Sequence, residues 1–284
     1  MDLKSQFNDV FTLQELHELY PHLFKNHQRS LRDRKDVLRE FDSEKYGAVL
    51  KEMAIGNNLE SAKKNVRTKS KFFDGQSIRE DSTAEISEMY NSKVFLELHP
   101  FLGSIDSVVE IGCGSGEILR YIYSKNPNKK FTGMDLSQNA LKILAIESQA
   151  DCQLINTVQF DINDFEAGTL GSLDDSLVYT SLLMMYSESD AENLLEELLN
   201  SRAKFLVFIE PISAHYLDLG LWGEWATEYF RYNRYADQWF FRLSELLCNR
   251  LEYSFIAIKR NFFAHHILLP VSVVILERRE NLNE

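Results

Sequence analysis

The stretch "SVVEIGCGSGEIL", residues 107–119, decides how the rest of the chain is read. An apolar run, "SVVEI", is followed by glycine at 112, 114 and 116, and a second apolar pattern begins at once in "EILRYIYSK". The order predicts a buried strand, a tight turn and a helix N-terminus. Glycine there permits the turn and lets a ligand approach the backbone closely. The helix start adds free N–H groups and the positive end of a dipole. A dinucleotide loop begins similarly but has the pattern G-x-G-x-x-G. This one is G-x-G-x-G, and position 117 is a glutamate, which sits badly against a pyrophosphate. A P-loop is excluded because no Lys-Ser/Thr follows.

Around this loop the chain alternates short β-rich runs with helical patterns. Strands are expected at 107–111, 130–135, 157–160, 176–181, 204–210, 253–260 and 271–277. Helices are expected in "GEILRYIYSK", "SQNALKILAIESQ" and "ESDAENLLEELLNSR". Alternation of this kind implies a mostly parallel sheet covered on both faces, with ligands bound beyond the carboxyl ends of the strands. Residues 1–90 read differently. Helical spacing runs through "FTLQELHELYPHLF" (11–24) and "SLRDRKDVLREFDSEKYGAVLKEMAI" (30–55), whereas 56–77 is polar and reads as linker or loop. The expected division is a helical N-terminal extension over 1–88 and a ligand-binding domain over 89–284.

Composition bounds the function. With 284 residues and 44% apolar side chains the chain can bury a large core. No apolar h-region opens the sequence and no run reaches the ~20 residues of a membrane span. A cytoplasmic protein without a membrane partner is expected. Cys113, Cys152 and Cys248 are widely spaced, which reads as three reduced thiols rather than a disulfide framework. The net charge of −12 argues against a general nucleic-acid binder. It is unevenly spread: residues 25–71 carry 13 basic and 7 acidic residues, +6, which leaves 31 − 13 = 18 basic and 43 − 7 = 36 acidic residues elsewhere, −18. The basic segment reads either as a solvated helical face or as a docking face for something acidic.

Three acidic residues stand where strands end. Glu110 lies two residues before the loop, where a carboxylate can pair with a ligand ammonium. Asp135 closes the strand "KFTGMD", about 20 residues after the loop, where it can accept both hydroxyls of a ribose. Asp161 follows "TVQF" and can accept from an adenine amino group. Ammonium, ribose and base, with no phosphate, describe one ligand.

The ordered series "VVEIGCGSG", "FTGMDLSQNAL", "VQFDINDF", "LVYTSLLMMYS" and "FLVFIEP" resembles the motifs of class I S-adenosylmethionine-dependent methyltransferases, small-molecule type, over about residues 89–284. The resemblance implies a Rossmann-like α/β fold, a seven-stranded sheet with its last strand antiparallel. It implies S-adenosyl-L-methionine as cofactor and S-adenosyl-L-homocysteine as product. Glu110, Gly112, Gly114 and Gly116 would hold the methionine part, with Cys113 filling the turn. Asp135 would bind the ribose, Leu136 would flank the adenine, and Asp161 with Ile162 would read its edge.

The acceptor side is less clear. Many small-molecule members of the family carry a histidine after the fourth strand, where this chain has Met185 and Tyr186. Tyr186 is a candidate to orient the substrate or touch the cofactor. Glu210 and His215 follow the fifth strand, and His215 is the candidate base or orienter. Residues 211–245 would form a helical substrate lid rich in aromatics, including Trp222, Trp225, Trp239, Tyr229 and Tyr235, with Arg231 and Arg234 interleaved. Phe73 and Tyr90 are candidates for a cover over the cofactor. No metal site is expected, because the vicinal His265 and His266 cannot place both rings on one strand face. The expected reaction is methylation at oxygen or nitrogen of a small polar acceptor, a sugar or natural-product intermediate. The alternatives are a protein or peptide methyltransferase, which the −18 remainder would suit, and a non-catalytic cofactor-binding partner. A nucleic-acid acceptor is disfavoured by charge and by "TSLL" standing where an NPPY-like tetrad would fall. The chain also leaves room for a homodimer through its N-terminal helices.

Overall fold

A computed structural model describes residues 34–55, 69–187, 191–236 and 238–279. The helix expected over 11–24 lies outside the described residues. The main sheet contains β3 (Ser107–Ile111), β4 (Lys130–Asp135), β5 (Ile155–Gln159), β6 (Ser176–Ser181), β7 (Phe205–Pro211), β8 (Tyr253–Phe263) and β9 (Val271–Arg278). Their spatial order is β5-β4-β3-β6-β7-β9-β8. Every pairing from β5 to β7 is parallel, and β9 runs antiparallel to both β7 and β8. The seven strands match the expected positions to within about three residues. Strand order reverses between β3 and β6, so the crevice for a ligand opens above the loop that follows β3.

The strands belong in the middle of a three-layer sandwich because they are apolar on both faces. In β7, Phe205, Val207 and Ile209 pack with one cluster, while Leu206 and Phe208 pack with the other. The first layer is closed by α3 (Thr83–Leu102) and α4 (Glu117–Lys125). In α3 the residues Ile86, Tyr90, Val94, Leu98 and Leu102 are buried, a strict four-residue spacing that lines one face. The opposite layer holds α6 (Glu192–Asn200) and α8 (Trp239–Cys248), whose Leu194, Leu198, Trp239 and Leu243 are buried. Helix α5 (Gln138–Ala150) connects β4 to β5 and starts at Ser137, whose hydroxyl accepts from the Ala140 N–H at 3.0 Å.

The segment before α3 is not all helical. Residues 69–82 form an antiparallel hairpin of β1 (Lys69–Phe73) and β2 (Ile78–Ser82). Its turn is fixed by Asp74, which accepts from the N–H groups of Gln76 and Ser77, both at 2.8 Å, while Gly75 takes φ +94°. Phe72 and Phe73, both buried, hold β1 against the core. Helix α3 then opens on a capping box between Ser82 and Glu85. The boundary expected at 88/89 therefore falls inside this helix.

Further towards the N-terminus, α1 (Arg34–Leu38) continues through a π-helical segment (Arg39–Tyr46) into α2 (Gly47–Ala54). The region expected as a lid over 211–245 divides in two. A 3₁₀ segment (Ser213–Leu219) and α7 (Leu221–Tyr232) join the hairpin and residues 264–269 in a third cluster around Trp222. Helix α8 belongs instead to the layer beside α6. Among the described residues no helix is long and apolar enough to cross a membrane.

Candidate active site

The glycine loop turns back under the neighbouring strand. The N–H groups of Gly112 and Cys113 donate to the Met134 carbonyl at 2.7 and 3.0 Å. Gly116 has φ +72°, and a Cβ there would strike Leu144. Gly114, φ +54°, is bare because the Tyr46 hydroxyl lies against it. Cys113 points away from the crevice into the core, where burial raises its thiol pKa. It serves as a small filler of the turn.

Asp135 is the centre of the arrangement. Its Oδ2 accepts from the Gly114 N–H and its Oδ1 from the Ser137 N–H, both at 2.8 Å. One carboxylate thereby ties the loop after β3 to the start of α5. Each oxygen keeps a second lone pair for an outside donor. Burial raises the Asp135 pKa, and the two N–H groups oppose that rise. Leu136 is half-buried beside it, and its carbonyl accepts from Gln159 Nε2 at 3.3 Å. Asp161 is buried directly after β5 in a turn closed by the Asn163 N–H at 3.0 Å, and Ile162 packs against the adjoining core. Asp135, Leu136, Asp161 and Ile162 thus share the carboxyl ends of β4 and β5, next to the loop.

Glu110 is placed differently from a surface ligand. It is buried within β3, and burial pushes its pKa up to about 8, against the Tyr179 hydroxyl and the Leu119 N–H that lower it. The carboxyl therefore faces the first turn of α4 beneath the loop. Glu117, the first residue of α4, is the acidic group whose field reaches both Tyr46 and His265.

Of the three residues expected to be catalytic, Tyr186 alone belongs to a run of aromatic rings. Its ring meets Phe41 edge-on at 5.3 Å and Tyr235 at 5.6 Å. Tyr229 follows at 6.4 Å from Tyr235 and stacks on His266 at 4.6 Å. Glu210 is fully buried, and both its oxygens accept from the Leu183 N–H, at 3.0 and 2.9 Å. Burial pushes its pKa up to about 8. It locks the turn after β6. His215 is buried with Nδ1 at 2.8 Å from Ser272 Oγ and its ring 5.4 Å from Phe240. Burial lowers its pKa to about 4. His215 follows β7, as expected, whereas Glu210 is the last residue but one of the strand, and the polar atoms of both are engaged within the fold.

Phe73 and Tyr90, read as cover residues, are core instead. Phe73 packs on Trp222 at 5.1 Å, and the Tyr90 hydroxyl bonds Ser181 Oγ at 2.7 Å beneath the crevice. Other contacts at the start of α5 and beside the loop come from residues that the sequence did not single out. Asp42 accepts from Ser137 Oγ at 2.7 Å, from the Asn139 N–H at 2.9 Å and from Asn139 Nδ2 at 3.1 Å. Lys45 Nζ stands 4.9 Å from the Tyr46 ring and 5.3 Å from the Phe41 ring. The signal lay in "REFDSEKY", whose aromatic and charged residues follow no single helical stripe. Among the described residues no group of histidine, cysteine and acidic side chains forms a metal site.

Fold and crevice together define an open, mostly parallel α/β sheet with its crevice at the point where strand order reverses. Residues 108–202 match the family model described as a methyltransferase domain. The match covers about one third of the chain and takes in the glycine loop, Asp135 and Asp161. Among solved structures, the plantazolicin methyltransferase BpumL in complex with SAH is similar over 86% of this chain and 99% of that one, with 14% identity and a TM-score of 0.50. The methyltransferase domain of bacterial CtHen1-C is similar over 69% and 100%, with 14% identity and a TM-score of 0.50. A small RNA methyltransferase, HEN1, is similar over 69% of this chain and 25% of that one, at 17% identity and the same score. These likenesses establish the shared fold. Among curated proteins none matches the chain.

Proposed function

We propose that the protein transfers the methyl group of S-adenosylmethionine to an oxygen or nitrogen of a small polar acceptor, a sugar or natural-product intermediate. The carbon–sulfur bond breaks as the new bond to the acceptor forms. The acceptor loses its proton, and S-adenosylhomocysteine leaves. The cofactor carries the activation, so the protein's work is to orient both partners and exclude water.

The observation that carries the reading is Asp135, held by the Gly114 and Ser137 N–H groups with lone pairs left for two ribose hydroxyls. Glycine at 112 and 114 leaves the backbone bare beside it, and Asp161 stands at the next strand end for the base. The small size of the acceptor is supported by the rings that meet at Tyr186. Phe41 reaches it from the N-terminal segment and Tyr235 from the region after α7, making a roof over the crevice. A roof built from two segments favours a small molecule over a folded protein or a duplex. Tyr186 is assigned the role of orienting the acceptor. Glu210 and His215 are assigned none in proton transfer, since each is committed to a buried partner. A basic peptide is the second reading, favoured by the −18 balance outside residues 25–71.

Calorimetry with S-adenosylhomocysteine tests the cofactor assignment. Wild type is expected to bind, and Asp135→Ala to weaken binding about 100-fold, the loss of two charge-assisted hydrogen bonds. Absence of wild-type binding at millimolar ligand overturns the reading. A methyl-labelled cofactor offered with hydroxylated small molecules and with basic peptides separates the two acceptor classes.

A further inference from the structure

We propose that His265 is the general base of the reaction, its Nδ1 taking the proton of an acceptor hydroxyl as the methyl group arrives. The inference rests on the reading that the crevice takes S-adenosylmethionine, and it names the proton acceptor that this reading leaves open.

Topology brings His265 to the crevice from two directions. β8 runs antiparallel to β9, and β9 antiparallel to β7, so β8 points the same way as the parallel strands. Residues just after β8 therefore lie at the level of the carboxyl ends, with the glycine loop. Four residues join the end of α3 to the start of β3, so α3 returns along the sheet with its first turns at that same level. Ser87, near the start of α3, holds His265 Nε2 at 3.2 Å. Tyr90, one turn on, meets the His265 ring edge-on at 6.3 Å and bonds Ser181, the last residue of β6. The backbone is pinned as well. Ala264 and Phe73 exchange N–H···O=C bonds, both at 3.0 Å, so the β1–β2 hairpin fixes the turn that carries the imidazole.

The surroundings close a circuit. Rings run from Phe41 through Tyr186, Tyr235 and Tyr229 to His266, the next residue in sequence. At the other end Lys45 stands 5.3 Å from the Phe41 ring, and its charge, with that of Glu117, acts on His265. Glu117 begins α4 directly after the glycine loop. His265 thus joins the aromatic run to the loop.

The chemistry of the position suits a base. Burial lowers the His265 pKa, Glu117 raises it and Lys45 lowers it, and the net direction keeps the imidazole neutral at pH 7. With the ring proton on Nε2 and directed to Ser87, Nδ1 keeps its lone pair, and the residue is half-buried rather than sealed. The other histidines among the described residues are committed or remote. His215 is buried against Ser272, His266 Nδ1 accepts from the Leu268 N–H at 3.3 Å, and His99 lies in the last turn of α3. In the step, the hydroxyl proton passes to Nδ1, the oxygen lone pair forms the bond to carbon, and the carbon–sulfur electron pair stays on sulfur. The imidazolium later gives the proton to water. A free amine needs no such base, so a neutral imidazole here favours a hydroxyl acceptor.

One test needs no acceptor. A base one hydrogen bond from the acceptor oxygen stands about 7 Å from the cofactor sulfur. There an imidazolium meets the sulfonium charge of S-adenosylmethionine, but only a neutral thioether in S-adenosylhomocysteine. Histidine ¹³Cε1 signals are titrated by NMR in both complexes of the full chain, with His265 assigned by its loss in His265→Gln. Its proton affinity is expected to be at least about tenfold lower with S-adenosylmethionine, while His99 titrates alike in both. Equal His265 titration in the two complexes overturns the proposal. His265→Gln is also expected to bind S-adenosylhomocysteine within about twofold of wild type and to keep its thermal midpoint, while labelled-methyl transfer to hydroxylated small molecules falls about 100-fold or more at pH 7. Turnover within a few-fold of wild type overturns the base, and a large loss of S-adenosylhomocysteine affinity makes His265 a cofactor contact instead. Failure of wild type to bind S-adenosylhomocysteine is the distinct result that sinks the cofactor reading itself.

Discussion

Glu210→Gln separates a buried structural carboxyl from a catalytic one. In the native protein Glu210 has a pKa of about 8, because burial disfavours its charge more than the Leu183 N–H favours it. Its ordinary value is 4.5. Between those two values the native state keeps a proton that the unfolded state releases. Stability contributed by this group is therefore present at low pH and lost as pH rises towards 8, with a slope of about 1.4 kcal/mol per pH unit. Glu110, also at about 8, adds the same slope. His215, His265 and His266, all lowered from 6.5 by burial, act in the opposite sense, chiefly below pH 6.5. In the window from pH 6.5 to 8 the two glutamates dominate. Across its 1.5 units each costs about 2 kcal/mol. Glutamine at 210 can still accept from Leu183 and cannot ionise. Urea unfolding followed by tryptophan fluorescence at pH 6.5 and 8.0 is expected to show wild type losing about 4 kcal/mol and Glu210→Gln about 2. Methyl transfer by the variant at pH 7 should stay within a few-fold of wild type. Parallel stability losses would show that Glu210 is ionised throughout, and a collapse of turnover with normal S-adenosylhomocysteine binding would return it to the chemistry.

Three further outcomes are expected. Gly116→Ala places a side chain at φ +72° against Leu144 and should cost at least about 2 kcal/mol in denaturant unfolding. Ser82→Ala removes the capping box of α3 and should cost about 1 kcal/mol, with little effect on affinity for S-adenosylhomocysteine. His215→Ala opens a cavity and strands Ser272, so about 2–3 kcal/mol of stability should go while turnover of the folded enzyme stays near wild type. Since the His215 pKa is lowered, the wild-type contribution from its neutral form should be full above pH 6.5 and fade as pH falls towards 4.

The sheet was legible in the sequence because its strands are bounded by their own chemistry. "SVVEI" stops at a glycine that needs positive φ, and "KFTGMD" stops at a carboxylate that caps two backbone N–H groups. The same local rules made Asp135 visible. What escaped was whatever depends on distant partners. "SKFF" is too short and too basic to read as a strand, and it becomes one through the Asp74 turn and the burial of Phe72 and Phe73. His215 looks like a base by its position after a strand, but its role depends on Ser272, 57 residues away. Tyr46 carries no motif at all. A π-helical segment lays it on Gly114, about 70 residues downstream, and no periodicity announces such a segment.

Glu117 is the residue expected to decide between a phosphate and a zwitterion at the loop. A helix N-terminus behind glycines is an anion site by default, and the dipole of α4 offers only a fraction of a unit charge. Glu117 begins that helix and Asp135 flanks it. At an effective dielectric of about 20, a phosphate some 5 Å from one such carboxylate meets a repulsion of about 3 kcal/mol, which outweighs a dipole contribution of about 1. A zwitterion escapes this penalty, because its ammonium turns the same carboxylate into a partner. Competition calorimetry should therefore find that AMP and NAD at millimolar concentration leave S-adenosylhomocysteine binding unchanged. In Glu117→Gln, S-adenosylhomocysteine should bind about tenfold more weakly while 5′-methylthioadenosine, which has no ammonium, is unaffected. Displacement by AMP in the wild type, or an unchanged affinity in the variant, would show that the acidic residue does not face the ligand and that the loop tolerates phosphate after all.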